Sequence, residues 1–182
     1  MRDAYELEEV FAPVAPGLEA AAAEDLKAAG LSGVRVVEGG VAVEGGFDAG
    51  LRACLWSRIA TTVRLKIARF RAEDRDELAL GLAQVRWDPY LTEETPVQAV
   101  ARRSKIHHTG QIEEAVRRAA GRALPRGSGG VLVRVVAGVA EVSIDLAGVR
   151  LHRRGWRKEG GRAPLRETLA AGILHLAGYR PG

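Results

Sequence analysis

The sequence predicts an α/β (α+β) chain built as two small units. Three observations predict it. Runs that alternate apolar and polar residues are interleaved with runs whose apolar residues recur every three or four positions. Two short turn sequences, Gly39-Gly40 and Ala137-Gly138, each lie between two alternating runs, as in a tight hairpin. The 182 residues, 47% hydrophobic and 27% charged, are an ordinary globular composition and suffice for one large core or two small ones.

The first candidate strand is the apolar run Glu9–Ala15. Pro16-Gly17 then opens a helix, since proline suits a first turn whose N–H has no partner. Leu18, Ala22, Asp25, Leu26 and Ala29 carry its period and Gly30 ends it. Val34–Glu38 and Val41–Glu44 form a hairpin around the glycine pair. Phe47–Ser57 returns to helical spacing, with Phe47, Leu51, Cys54 and Leu55 on one face. Thr61–Phe70 alternates again, with Val63, Leu65, Ile67 and Arg69 pointing one way. The order β-α-β-β-α-β is the ferredoxin-like arrangement, which many functions share.

The second unit begins with a helix over Glu73–Val85, Leu78, Leu82 and Val85 inward, broken by Trp87-Asp88-Pro89-Tyr90. Pro96–Ala101 is a strand. Gly110–Leu124 is a helix with Ile112, Ala115, Val116, Ala119 and Ala123 on its apolar side and Thr109 as its expected N-cap. Val131–Val136 and Val139–Leu146 make a second hairpin. A basic, irregular stretch from Leu151 to Gly161 leads to a last helix, Pro164–Ala177, with Leu165, Leu169, Ile173 and Leu176 at helical spacing.

Several classes of chemistry find no residues here. One cysteine, Cys54, excludes a disulfide within the chain and argues against a zinc cluster. No run reaches the roughly 18 apolar residues of a membrane helix, and the N-terminus lacks a signal core. The expected setting is cytoplasmic. There is no phosphate loop, no nucleophile elbow and no His-Glu-x-x-His. Gly127–Gly130 precedes a strand and reads as a turn. No catalytic and no metal-binding residue is nominated.

Charge is more informative. Residues 1–30 hold two bases against seven acids, whereas residues 150–166 hold seven bases against Glu159 alone. Such asymmetry suits a polyanionic partner, although charge by itself leaves a solvated face open. Two constellations stand out. Arg102, Arg103, Lys105 and His107 join a strand to a helix that itself carries Arg117, Arg118 and Arg122. Arg153, Arg154 and Arg157 flank Trp156, which offers a stacking surface for an unpaired base. Trp56 and Trp87 lie at element ends beside apolar residues and are expected in the core.

Phe11-Ala12, Gly17-Leu18-Glu19, Gly39-Gly40-Val41 and Leu55-Trp56-Ser57-Arg58 resemble the beginning of the bacterial guanine-N2 ribosomal RNA methyltransferases. The resemblance continues through Ser143-Ile144-Asp145-Leu146 and Leu151-His152-x-Arg154-Gly155-Trp156-Arg157 to Ala163-Pro164-Leu165-Arg166-Glu167-Thr168-Leu169-Ala170-Ala171. It implies a ferredoxin-like domain over 1–70, packed with a THUMP RNA-binding domain over 71–160. It implies a linker helix over 161–182 leading to a methyltransferase domain that this sequence does not contain. The implied partners are structured RNA, ribosomal RNA foremost and tRNA also, and a methyltransferase domain in cis or in trans. S-adenosylmethionine is implied for that catalytic domain and no cofactor for this chain. An apolar side of the last helix left bare is a further expectation.

Overall fold

The structure, a computed structural model, describes residues 8–155, 157–159 and 161–179. It has two compact units: Glu9–Leu65 together with the described residues from Leu146 onward, and Lys66–Asp145 with Glu8.

In the first unit, β1 (Glu9–Pro13) and β2 (Arg35–Val37) both pair antiparallel with β3 (Gly40–Glu44). The hairpin closes with Val37 opposite Gly40, so its two turn residues are Glu38 and Gly39, the latter at φ +74°. The hydrogen-bonded order runs β2-β3-β1-β4, and β4 (Arg64–Arg71) begins here and continues into the second unit. The inward parity of β4 switches at Ile67-Ala68, which are both buried. Phe70 therefore points in and Arg69 is exposed, contrary to the alternation expected.

Two helices cover this unit's strands. Helix α1 (Glu19–Ala28) buries Ala21, Ala22, Ala23, Asp25 and Leu26. Helix α2 (Gly46–Trp56) is turned the opposite way from its apolar period. It buries Gly46, Gly50 and Ala53, and Phe47, Leu51 and Leu55 are exposed. The reason is steric: a Cβ on Gly50 would collide with Cδ1 of Leu146, so the helix comes in on its small residues.

The chain returns to this unit earlier than the expected boundary at 160. The Leu146 and Leu151 amides donate to the carbonyls of Val63 and Thr61, at 2.9 and 3.0 Å. Helix α5 (Glu167–Leu176), expected as a linker, packs on α1, with Gly172 against Leu18 and His175 Nε2 2.8 Å from Glu24. Leu165, Ile173, Leu174, Leu176 and Tyr179 remain exposed.

In the second unit the order is β4-β7-β6-β5. Strand β5 (Val97–Arg102) pairs parallel with β6 (Val131–Val136), which pairs antiparallel with β7 (Val139–Asp145). The β6–β7 turn is Ala137-Gly138, with φ of +49° and +77°, the positive pair of a type I′ turn. Helix α3 (Arg75–Ala83) starts at Asp74, whose carboxylate accepts from the amides of Asp76 and Glu77. It packs against α4 (Thr109–Ala120), which buries Ile112 and Val116. The N-cap of α4 is His108, one residue before the one expected, and it makes no side-chain capping bond. The C-cap is Gly121, in the left-handed conformation.

Candidate nucleic-acid interface

In the second unit, the connection from β5 to α4 is an ordered loop. Ile106 is buried and anchors it. Its backbone N–H donates to Ser104 Oγ at 3.0 Å, and the Ala137 N–H donates to the Arg102 carbonyl at 3.2 Å. His107 Nδ1–H donates to the Lys105 carbonyl at 2.9 Å, leaving Nε2 on the outer edge of the ring. With Ile106 turned in, Lys105 and His107 are turned out, and Arg102 and Arg103 are exposed as well. Arg103 sits at φ +49°, a conformation that costs a non-glycine residue about 1–2 kcal/mol. Among the described residues, Arg102, Arg103 and Lys105 form no ion pair. Three cations therefore stand on this loop with no acidic partner among the described residues.

The arginines on α4 and just beyond it are differently placed. Arg117 is largely covered; its Nε donates to the Leu124 carbonyl at 2.6 Å and so closes the helix end. Arg118 is exposed but lies 3.5 Å from Glu114. Arg122 reaches Asp88 at 3.1 Å and the Leu91 carbonyl at 2.7 Å. Glu113 is paired with Arg126 at 2.9 Å. This helix thus contributes much less free positive charge than its sequence suggests.

In the first unit, Arg153 is exposed and unpaired, as are Arg150 and Lys158, among the described residues. Arg154 faces inward. Its guanidinium donates to the carbonyls of Cys54, Leu55 and Ser57, at 2.6, 2.9 and 2.8 Å, around the C-terminal end of α2. Arg157 Nε lies 3.1 Å from Glu167, and the same guanidinium donates to the Leu165 carbonyl. Trp156 lies outside the described residues. A depression of about 400 Å³ is lined by His152, Arg153, Gly155, Arg157, Pro164, Arg166 and Glu167. Three guanidinium groups and an imidazole face one carboxylate there, a lining that favours an anion. Arg166, the N-cap of α5, was outside the residues nominated from sequence.

The glycine-rich run Gly127–Gly130 leads into β6 and backs onto Pro96, where a Cβ on Gly130 would meet the Pro96 carbonyl oxygen. No group of three or more His, Cys, Asp or Glu residues suited to a metal occurs among the described residues. No helix among them is long and apolar enough to cross a membrane.

Residues 9–64, the β1–α1–β2–β3–α2 segment and the entry to β4, match the family model described as the RlmL ferredoxin-like domain. This segment is an RlmL-type ferredoxin-like domain. The chain beyond it matches the same group of proteins. It is 36% identical over 183 residues to the ribosomal RNA large subunit methyltransferase K/L of Syntrophotalea carbinolica, across 93% of this chain and 26% of that protein. The chain spans about a quarter of the length of the curated relatives it matches. Among solved structures, it resembles a predicted N6-adenine-specific DNA methylase from Listeria monocytogenes, with TM-score 0.80, 28% identity and coverage of 94% of this chain and 48% of that one. It also resembles SMU.472, a putative methyltransferase complexed with SAH, with TM-score 0.80, 26% identity and coverage of 97% and 50%. The chain is thus similar to a part of larger methyltransferases.

Proposed function

We propose that this chain binds structured RNA, large-subunit ribosomal RNA in the first place, and presents it for S-adenosylmethionine-dependent methylation at guanine N2. The catalytic domain acts in cis or in trans. The Lys66–Asp145 unit serves as the THUMP domain and the RlmL-type unit as its companion, in the cytoplasm. The observation that carries this reading is the set of exposed cations without acidic partners among the described residues, Arg102, Arg103 and Lys105 in one unit and Arg150, Arg153 and Lys158 in the other. They occur in a chain whose curated relatives are named as methyltransferases of large-subunit ribosomal RNA. Such cations bind phosphates and supply affinity and register; the shape of the RNA and its unpaired bases supply selectivity.

A fluorescence-anisotropy titration tests it, with a ribosomal RNA hairpin, a tRNA and duplex DNA of equal length at two salt concentrations. The expected result is salt-sensitive binding that favours the ribosomal hairpin. Preference for tRNA would move the substrate class within RNA. Equal, weak binding to all three would overturn the reading.

A further inference from the structure

Three tryptophans occur in the sequence, and the two described by the structure differ sharply. Trp87 is 5% exposed and its Nε1–H donates to the Leu82 carbonyl at 3.0 Å, as a core indole should. Trp56, the last residue of α2, is 62% exposed, and its indole N–H has no hydrogen-bond partner among the described residues. Its surroundings are set by Arg154, whose guanidinium holds the carbonyls of Leu55 and Ser57, the residues on either side of it. The segment that carries Arg150 and Arg153 is therefore tied to the backbone at Trp56. An exposed aromatic face is thus tied to a chain segment whose two outer arginines are unpaired among the described residues.

We propose that Trp56 is a stacking platform for an unpaired RNA base, next to phosphate contacts made by Arg150 and Arg153. The proposal rests on the reading above that the chain binds RNA, and it names a residue that the sequence pattern assigns to the core. Every base presents a π face, so an exposed indole can take one without sequence preference, and adjoining cations hold the backbone on either side of it. Arg154 is a positioning residue here, since three of its five N–H donors are given to carbonyls around the end of α2. Phe47 and Leu51 are also exposed on α2, which raises a protein partner as the other occupant. Charge favours RNA at the Trp56 end. Arg154 ties the segment that carries Arg150 and Arg153 to that end, and nine residues of helix put Phe47 about 13 Å away along the axis.

The test uses the full chain with Trp56→Ala, Trp56→Phe and Leu55→Ala, the last removing an equally exposed apolar neighbour. Binding is measured to a hairpin with an unpaired loop and to a fully paired RNA of equal length. Trp56→Ala is expected to weaken loop binding by about ten-fold or more, with duplex binding and the thermal midpoint unchanged. Trp56→Phe is expected to keep loop affinity within about three-fold, and to remove the intrinsic fluorescence quench that the loop RNA causes in the parent protein. Loop binding by Trp56→Ala equal to the parent's overturns the proposal and leaves RNA binding standing. An equal loss in Leu55→Ala, or a quench that persists in Trp56→Phe, overturns it in favour of an apolar docking face or another stacking residue. A parent protein that binds neither RNA overturns this proposal and the RNA reading together.

Discussion

Arg154 donates to the Cys54 carbonyl at 2.6 Å across one hundred residues of sequence, and the same guanidinium takes the carbonyls of Leu55 and Ser57. A positive group at a helix C-terminus meets both unpaired carbonyls and the negative end of the helix dipole. Arg154→Ala is expected to lower stability by about 1.5–3 kcal/mol in urea denaturation. Arg154→Lys should recover only part of this, because a single ammonium does not reproduce the planar fork that spans three acceptors. Full recovery by lysine would show that charge alone matters.

Arg102, Arg103 and Lys105 have no ion-pair partners among the described residues and are exposed, so their removal should leave the fold intact. The triple alanine variant is expected to keep its thermal midpoint while RNA affinity falls. The slope of log K against log salt should shrink by roughly 0.7–0.9 for each phosphate that the variant no longer neutralises. Arg117→Ala should behave in the opposite way, losing stability because its Nε–Leu124 bond closes α4, with an unchanged salt slope. Measuring both quantities for both variants separates binding arginines from structural ones.

Residue periodicity conveyed most of the architecture. The Val131–Val136 and Val139–Asp145 hairpin, with its Ala137-Gly138 turn, is written in β-branched alternation and turn chemistry, both local. The inner face of α2 was not legible from hydrophobicity, because Phe47, Leu51 and Leu55 carry the stronger apolar signal. The signal that was present is the spacing of Gly46, Gly50 and Ala53, a narrow strip that permits close approach. The roles of Arg153 and Arg154 could not be separated in sequence either, since adjacent residues of one basic run point to solvent and to α2. That difference is tertiary: it depends on carbonyls of α2 about one hundred positions away.

The inward glycine strip leads to a direct test. Gly50→Ala places a Cβ against Leu146 and is expected to cost about 1–3 kcal/mol, despite alanine's better helix propensity. Shortening the obstructing side chain by Leu146→Ala in the same protein should return part of that loss, a coupling a double-mutant cycle would read directly. Leu51→Glu, on the exposed face, should change stability by less than about 0.5 kcal/mol. A large loss at Leu51 with none at Gly50 would mean that α2 faces the other way.

Ala137 holds φ +49° in the β6–β7 turn, a conformation glycine adopts at no steric cost. Ala137→Gly relieves a penalty of about 1–2 kcal/mol and adds a chain-entropy cost of about 0.4–1 kcal/mol, so a net gain of roughly 0.5 kcal/mol is expected in the denaturation midpoint. Gly138→Ala should destabilise, because φ +77° is strained and the new Cβ would crowd Glu73.

Asp25 is the most informative buried polar group of the first unit. It is 2% exposed on α1, and its Oδ2 accepts from Ser57 Oγ at 3.1 Å and from the Arg58 backbone N–H at 2.8 Å. Oδ1 accepts from Arg58 Nε at 2.8 Å, and Ser57 Oγ in turn accepts from the Ala60 N–H. One carboxylate therefore fixes the chain where α2 gives way to β4. Asp25→Ala strands a buried hydroxyl and a backbone donor, with an expected cost of about 2–3 kcal/mol at unchanged m-value. Asp25→Asn should cost less. Its remaining oxygen can still serve Ser57 and the Arg58 backbone, while the half-exposed Arg58 guanidinium turns to water. If asparagine proves as damaging as alanine, the ion pair with Arg58 dominates; a small loss in both would show that Ser57 and Arg58 find other partners in the variant.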